Sequence, residues 1–315
     1  MWRPWFDKLI IRFRPSPVSA EIAQHSKRQR PNGDSCAEPG QSDVLRRPDA
    51  GGEVVHECNI IFMPFREYAR HALIGIAPPQ SNPVVEAEYR ALMPDGVGLL
   101  TTRLSGTAED PRTRFHQFLE NFDQSLAAYG KAQPDAVGFA CTATAYLFGS
   151  DEPDILGAAS ARLGIPVLSS AMAIRRALDR LGARHIALFS PYPDWLTKAS
   201  RVYWDSVGYD IVSWGTMPED TSDTVNIYGL TSAGFLTAAA TLETVQADVI
   251  LVTGTGMPVL PAIELLYRRT GKPVLCSNLC LAWALLDELG IAGLASPTSP
   301  WETLIGGWTA RLARL

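Results

Sequence analysis

The residue whose type and setting most suggest a reacting atom is Cys141. It closes an apolar stretch, Asp135–Cys141 (DAVGFAC), and is followed at once by Thr142-Ala143-Thr144, where peptide N–H groups open toward a helix. Such a place can lower a thiol pKa, and the same N–H groups can cradle a carboxylate. A matching stretch, Asp248–Gly254 (DVILVTG), leads into Thr255 and Gly256. Tyr192, in Ser190-Pro-Tyr192-Pro-Asp194, carries a phenol able to donate to a substrate oxyanion. Cysteine is also a small core residue, but the position of Cys141 at a strand tip beside Thr142, and the twin motif, weigh toward chemistry. Asp194 and Glu86 lie near helix starts and are read as helix caps.

The elements that position these residues are short apolar strands alternating with amphipathic helices, the signature of parallel sheets covered on both faces. Strands are expected at Ala72–Ala77, Gly96–Thr101, Ala136–Cys141, Pro166–Ser169, His185–Ser190, Asp210–Trp214, Asp248–Gly254 and Pro273–Ser277. Helices are expected at Arg112–Tyr129, Ile155–Leu163, Ala171–Leu181, Trp195–Val207, Ala233–Val245, Pro261–Thr270 and Leu279–Leu289. The pattern repeats. Ala69-Arg70-His71 returns as Ala183-Arg184-His185, an offset of 114, and Asp135 returns as Asp248, an offset of 113. Both copies close on Leu-Asp-x-Leu-Gly, ending at Gly182 and Gly290. The core therefore reads as two copies of one α/β unit, residues 70–182 and 183–293, facing each other about a pseudo-twofold axis, with a last helix in 294–315 returning to the first. Ligands of such sheets bind at the carboxyl ends of the strands, which places Cys141 opposite Gly254. If that position accepts a side chain, Gly254→Cys would bring a second thiol to the other face of a bound carbanion.

Three segments resemble the aspartate/glutamate racemase superfamily: Phe-Ala-Cys141-Thr-Ala, the opening Pro78-Pro79-Gln-Ser-Asn82-Pro-Val-Val-Glu86, and Ser190–Asp194. Within it the chain is most similar to arylmalonate decarboxylase and maleate cis-trans isomerase. The resemblance implies an α/β fold of two pseudo-symmetric, Rossmann-like parallel-sheet halves with the active site in the cleft between them. It also implies a small carboxylate or dicarboxylate substrate and no cofactor. Racemases and isomerases of the superfamily use one cysteine from each half, at the positions of Cys141 and Gly254; the decarboxylase keeps only the second. This chain is the mirror case. The carboxylate pocket would fall on Thr142, Ala143, Tyr192, Thr255 and Gly256, with Thr144 offering a hydroxyl in place of the serine often found at Ala143. Pro78 and Asn82 would complete the substrate contacts, Asn82 matching a substrate-binding asparagine of the isomerase.

Chemistry then ranks the activities. Two-base racemisation of an aspartate, glutamate or hydantoin is disfavoured, because glycine has no proton to give. Decarboxylation of an aryl- or alkylmalonate needs one donor: the enediolate left by carbon dioxide is protonated by Cys141. A maleate-type isomerisation could run on Cys141 as nucleophile, and a carboxylate-binding protein without turnover is the non-enzymatic alternative. The thiol's state separates the first two, since a donor is a thiol at neutral pH and a nucleophile a thiolate.

Composition supports this frame. With 46% hydrophobic and 19% charged residues over 315, and a formal charge of −5, the chain is globular and carries no global field for nucleic acid or an anionic membrane. No apolar run reaches the length of a bilayer span, and cytoplasmic location is expected. The five cysteines are an odd, irregular set read as reduced thiols, and no second Cys or His pair joins Cys276 and Cys280 at zinc spacing. Gly254-Thr255-Gly256 is no dinucleotide loop, because Pro258 and Val259 break the pattern. Residues 1–69, rich in Arg, Pro, Gly and Ser, read as a disordered extension, with Met63 as a possible true start. Oligomeric state is left open between monomer and homo-oligomer.

Overall fold

A computed structural model describes residues 66–149, 151–219 and 222–315. The chain divides into units 1–60 and 61–315, and the architecture below is that of the second; the expected disordered extension lies, up to residue 65, outside the described residues.

Eight strands form two four-stranded sheets. The first holds β1 (Ala72–Ala77), β2 (Val97–Thr101), β3 (Ala136–Phe139) and β4 (Val167–Ser169); the second holds β5 (His185–Ser190), β6 (Asp210–Thr216), β7 (Val249–Val252) and β8 (Val274–Cys276). Every pairing is parallel, and the orders β2-β1-β3-β4 and β6-β5-β7-β8 are the same order displaced by one repeat. The inner strands β3 and β7 are buried along their whole length, while edge strands β2 and β6 are half-exposed. That is why the inner strands read as unbroken apolar runs. The repeated aspartates act alike. Asp135 accepts from the Leu73 N–H at 2.7 Å, and Asp248 from the His185 N–H at 2.8 Å. Each carboxylate ties the start of its strand to the neighbouring one.

The helices follow as α1 (Val85–Leu92), α2 (Pro111–Glu120), α3 (Phe122–Ala127), α4 (Ala143–Phe148), α5 (Asp151–Leu163), α6 (Ser170–Leu181), α7 (Asp194–Ser206), α8 (Ser232–Ala238), α9 (Leu260–Thr270), α10 (Ser277–Glu288) and α11 (Trp308–Leu312). Two expectations are corrected. The single helix over 112–129 breaks at Asn121, whose side chain bonds back to the Ser105 carbonyl at 3.0 Å. The helix over 233–245 ends at Ala238 and continues only as a short 3₁₀ turn, where Thr237 and Thr241 bond back to preceding carbonyls. Asp194 and Glu86 are also not caps: they pair with Lys198 and Arg103, and Asn82 caps α1 through Oδ1.

Equivalent helices α6 and α10 pack on each other, with Arg176 bridging to Glu288, so the pseudo-twofold passes between them. α10 also reaches the first sheet. A Cβ on Gly138 of β3 would stand 3.0 Å from Leu285 and 3.1 Å from Leu281 of that helix, so glycine there permits the close approach of the two halves. α11 lies against α1, where Arg311 Nε donates to the Ala91 carbonyl at 2.6 Å.

The halves are locked by a buried carboxylate. Glu88 of α1 accepts from the Val259 and Leu260 N–H groups at 2.7 and 3.0 Å, capping α9 of the other half, and from the Asn278 amide at 2.7 Å. Burial pushes its carboxyl pKa up, against the pull of these donors. Glu88→Ala strands two helix N–H groups and an amide, and is expected to cost about 3 kcal/mol or more in a urea titration; a loss below about 1 kcal/mol would show that the clasp is dispensable.

Candidate active site

In each sheet the first and third strands are neighbours while the second lies beyond the first, so the connections leaving the two inner strands part and open a crevice at their carboxyl ends. The two crevices meet. Between them is a compact cavity of about 70 Å³, lined by Cys141, Tyr192 and Thr255 and walled by Pro79, Phe115, Phe118, Ile227 and Tyr228.

Cys141 stands just past the end of β3 rather than within it. The last ladder bond is from the Ala140 N–H to the Ala77 carbonyl, after which the Cys141 N–H turns back to Phe139 at 3.0 Å. This turn presents the side chain to the cavity, where Cys141 is 3% exposed. Burial pushes the thiol up to about 12, while the N–H groups of Ala143 and Thr144 and the Thr144 hydroxyl pull the other way. Desolvation outweighs those donors, so the thiol keeps its proton at neutral pH. Burial also holds the Tyr192 phenol in its protonated form; Cys141, Tyr146 and Tyr228 surround it, with the Thr142 hydroxyl alongside.

The other expected residues divide by location. Thr255 lines the cavity and joins the halves, its hydroxyl donating to the Ala140 carbonyl at 2.9 Å and accepting from Asn82 Nδ2 at 3.1 Å. Asn82 is thereby fully engaged, with Oδ1 on α1 and Nδ2 on Thr255. Thr142 bonds to Ser277 across the halves at 2.9 Å. Ala143 offers its N–H beside the thiol, and the Thr144 hydroxyl, 3.4 Å from the Cys141 carbonyl, donates to Glu152. Pro78 is buried and is not among the residues lining the cavity, its carbonyl taken by the Leu104 N–H. Gly256 lies against the Tyr228 ring.

Several lining residues carry no signal that separates them in sequence from ordinary packing. Phe115 and Phe118 read as the apolar side of a helix, and Tyr228 sits on a 3₁₀ turn, Thr224–Gly229, inside an unpatterned connection. Arg114 reads as a surface charge. In the fold it crosses the cleft mouth to Asp223 Oδ1 and Thr224 Oγ1, each at 3.1 Å. Among the described residues no cluster of three or more His, Cys, Asp or Glu could hold a metal ion, and no helix is long and apolar enough to cross a membrane.

The profile of the arylmalonate decarboxylase family matches residues 74–299, the two halves and the cleft. The chain belongs to this family. Characterised relatives within reach are maleate isomerases: that of Pseudomonas putida is 25% identical over 232 residues, covering 69% of this chain and 92% of that protein. The enzyme from Geobacillus stearothermophilus is 24% identical over 245 residues, covering 71% and 94%. Among solved structures, Nocardia farcinica maleate cis-trans isomerase superposes with a TM-score of 0.63 at 23% identity, covering 70% of this chain and 92% of that one. An arylmalonate decarboxylase does so with 0.58 at 20% identity, covering 69% and 92%. At these identities the solved structures share the fold. The family is one of isomerases and lyases, and this chain is an enzyme of that racemase-like α/β type.

The position equivalent to Cys141 in the second half is Gly254, which is not among the residues lining the cavity, and its backbone decides whether a side chain is accepted there. Gly254 has φ +87°, and a Cβ there would stand 2.7 Å from Pro191 Cγ and 3.5 Å from the Tyr192 ring. The site is strained for any side chain. Gly254→Cys is therefore expected to lose about 1–3 kcal/mol of stability and to displace Tyr192, rather than to install a working second thiol. Urea unfolding of Gly254→Ala and Gly254→Cys checks this; variants as stable as the wild type would contradict it.

Proposed function

We propose that the chain is a one-thiol decarboxylase of a small malonate-type dicarboxylic acid. The observation that carries this reading is the protonated, buried thiol of Cys141 facing the cavity, with glycine at the equivalent position of the other half. A thiol held near 12 has a proton to give and little thiolate with which to attack. Decarboxylation asks for one such donor: the C–C bond to the departing carboxylate breaks, its electron pair becomes an enediolate, and Cys141 delivers its proton to the carbon while carbon dioxide leaves. The Tyr192 phenol and the N–H groups at Ala143 and Thr144 stabilise the developing oxyanion. Phe115, Phe118 and Ile227 supply the apolar wall against which the substituent and the departing carboxylate lie.

A second reading is cis-trans isomerisation with Cys141 as nucleophile. It is supported by the Asn82 segment and by the names of the relatives, one of which, the Nocardia farcinica isomerase, has been captured with a covalent succinylcysteine. There the thiolate would add to the double bond, allow rotation and leave.

Purified protein offered aryl- and alkylmalonates, maleate, hydantoins and Asp/Glu should release carbon dioxide from a malonate. Cys141→Ala should lower that rate by about 100- to 10,000-fold with the fold intact, and Cys276→Ala and Cys280→Ala should stay active. Full activity of Cys141→Ala would overturn both readings. A mass increment on Cys141 after quenching with maleate, together with formation of the trans acid, would replace the first reading by the second.

A further inference from the structure

Near Cys141, and not among the residues lining the cavity, is a carboxyl group that the reaction above does not use. Glu152, in the first turn of α5, is fully buried. Its Oε2 accepts from the Thr144 hydroxyl, the Ser169 hydroxyl faces it from the end of β4, and its Oε1 has no hydrogen-bond partner. Among the described residues no lysine or arginine pairs with it. The titratable groups that face it are Cys141 itself and the Tyr203 phenol of α7, behind which stands Arg175 of α6. A carboxyl group this deep with no cation is costly to ionise, and Thr144 connects it to Cys141: its hydroxyl donates to Glu152, lies 3.4 Å from the Cys141 carbonyl and acts on the thiol.

We propose that Glu152 is the proton partner of Cys141, exchanging a proton with the thiol through the Thr144 hydroxyl. The exchange balances: the Sγ–H proton passes to Thr144 Oγ1 while the Oγ1 proton passes to Glu152 Oε2, leaving thiolate, hydroxyl and carboxylic acid. The reverse restores thiol and carboxylate. The inference rests on Cys141 being the reacting thiol, under either reading. For decarboxylation each turnover spends the Cys141 proton, and a protonated Glu152 returns one to the thiolate through Thr144. For isomerisation the same step would release the thiolate. Burial pushes the Glu152 carboxyl up to about 7, against the Ser169 and Thr144 hydrogen bonds, so it gains and loses its proton near neutrality, and its negative charge in turn raises the thiol.

Two coupled groups titrate as a pair, which can be tested in the full chain without any substrate. The rate of Cys141 alkylation by iodoacetamide, followed by mass spectrometry against pH, is expected to climb to about pH 7 and then flatten as Glu152 ionises. Glu152→Gln should instead climb about tenfold per pH unit straight through this range and overtake the wild type several-fold by about pH 9. Thr144→Ser should keep the wild-type break. Thr144→Val, which deprives the carboxylate of a donor, should move the break up by about one unit. A wild-type profile that rises through pH 7 without a break overturns the proposal whether or not the variants fold, as does a break that survives Glu152→Gln. Because no turnover is measured, these outcomes are independent of whether the enzyme proves to be a decarboxylase.

Discussion

The working geometry depends on one hydroxyl. Thr255, from the second half, donates to the carbonyl of Ala140, the residue before the thiol, and accepts from Asn82 of the first half. All of its partners are buried, so leaving any of them unpaired costs more than a surface contact could return. Glu88 performs the same service on a larger scale, tying α1 to α9 and α10. Polar groups buried between two otherwise apolar units fix one docking arrangement among the many that packing alone would tolerate. The thiol is thereby held still at the junction, in surroundings dry enough to keep it protonated.

The halves repeat in strand order, in the aspartates that lead into β3 and β7 and in the glycines that follow α6 and α10, where Gly182 and Gly290 share the left-handed conformation. The chemistry does not repeat. At equivalent positions one half offers a cysteine and the other a glycine in a conformation that resists a side chain. A symmetric scaffold with one reactive face suits a reaction that needs one proton delivered from one side.

The strands were legible in the sequence because parallel strands covered on both faces become apolar runs bounded by turn residues, and the repeat was legible because the same backbone needs recur. Cys141, Tyr192 and Thr255 could be found as cavity residues because each follows an inner strand. Arg114, Phe115, Phe118 and Tyr228 could not: their approach to the cavity is set by the docking of one half on the other, which no local pattern encodes. Asn82 illustrates the converse. Its segment marks the site, but its side chain spends both polar atoms on holding α1 and Thr255. Glu152 stood among Asp151 and Asp154 with nothing to distinguish it until burial singled it out, and whether Gly254 accepts a side chain is decided by its positive φ, which the sequence leaves open.

The central claim is that one thiol serves one face of a bound enediolate. Turnover of a prochiral malonate in deuterated water, with the product examined by chiral separation and NMR, tests it directly. The account predicts a single deuterium at the α-carbon and one enantiomer, with no further exchange on prolonged incubation. A racemic product, or deuterium entering both faces, would contradict it.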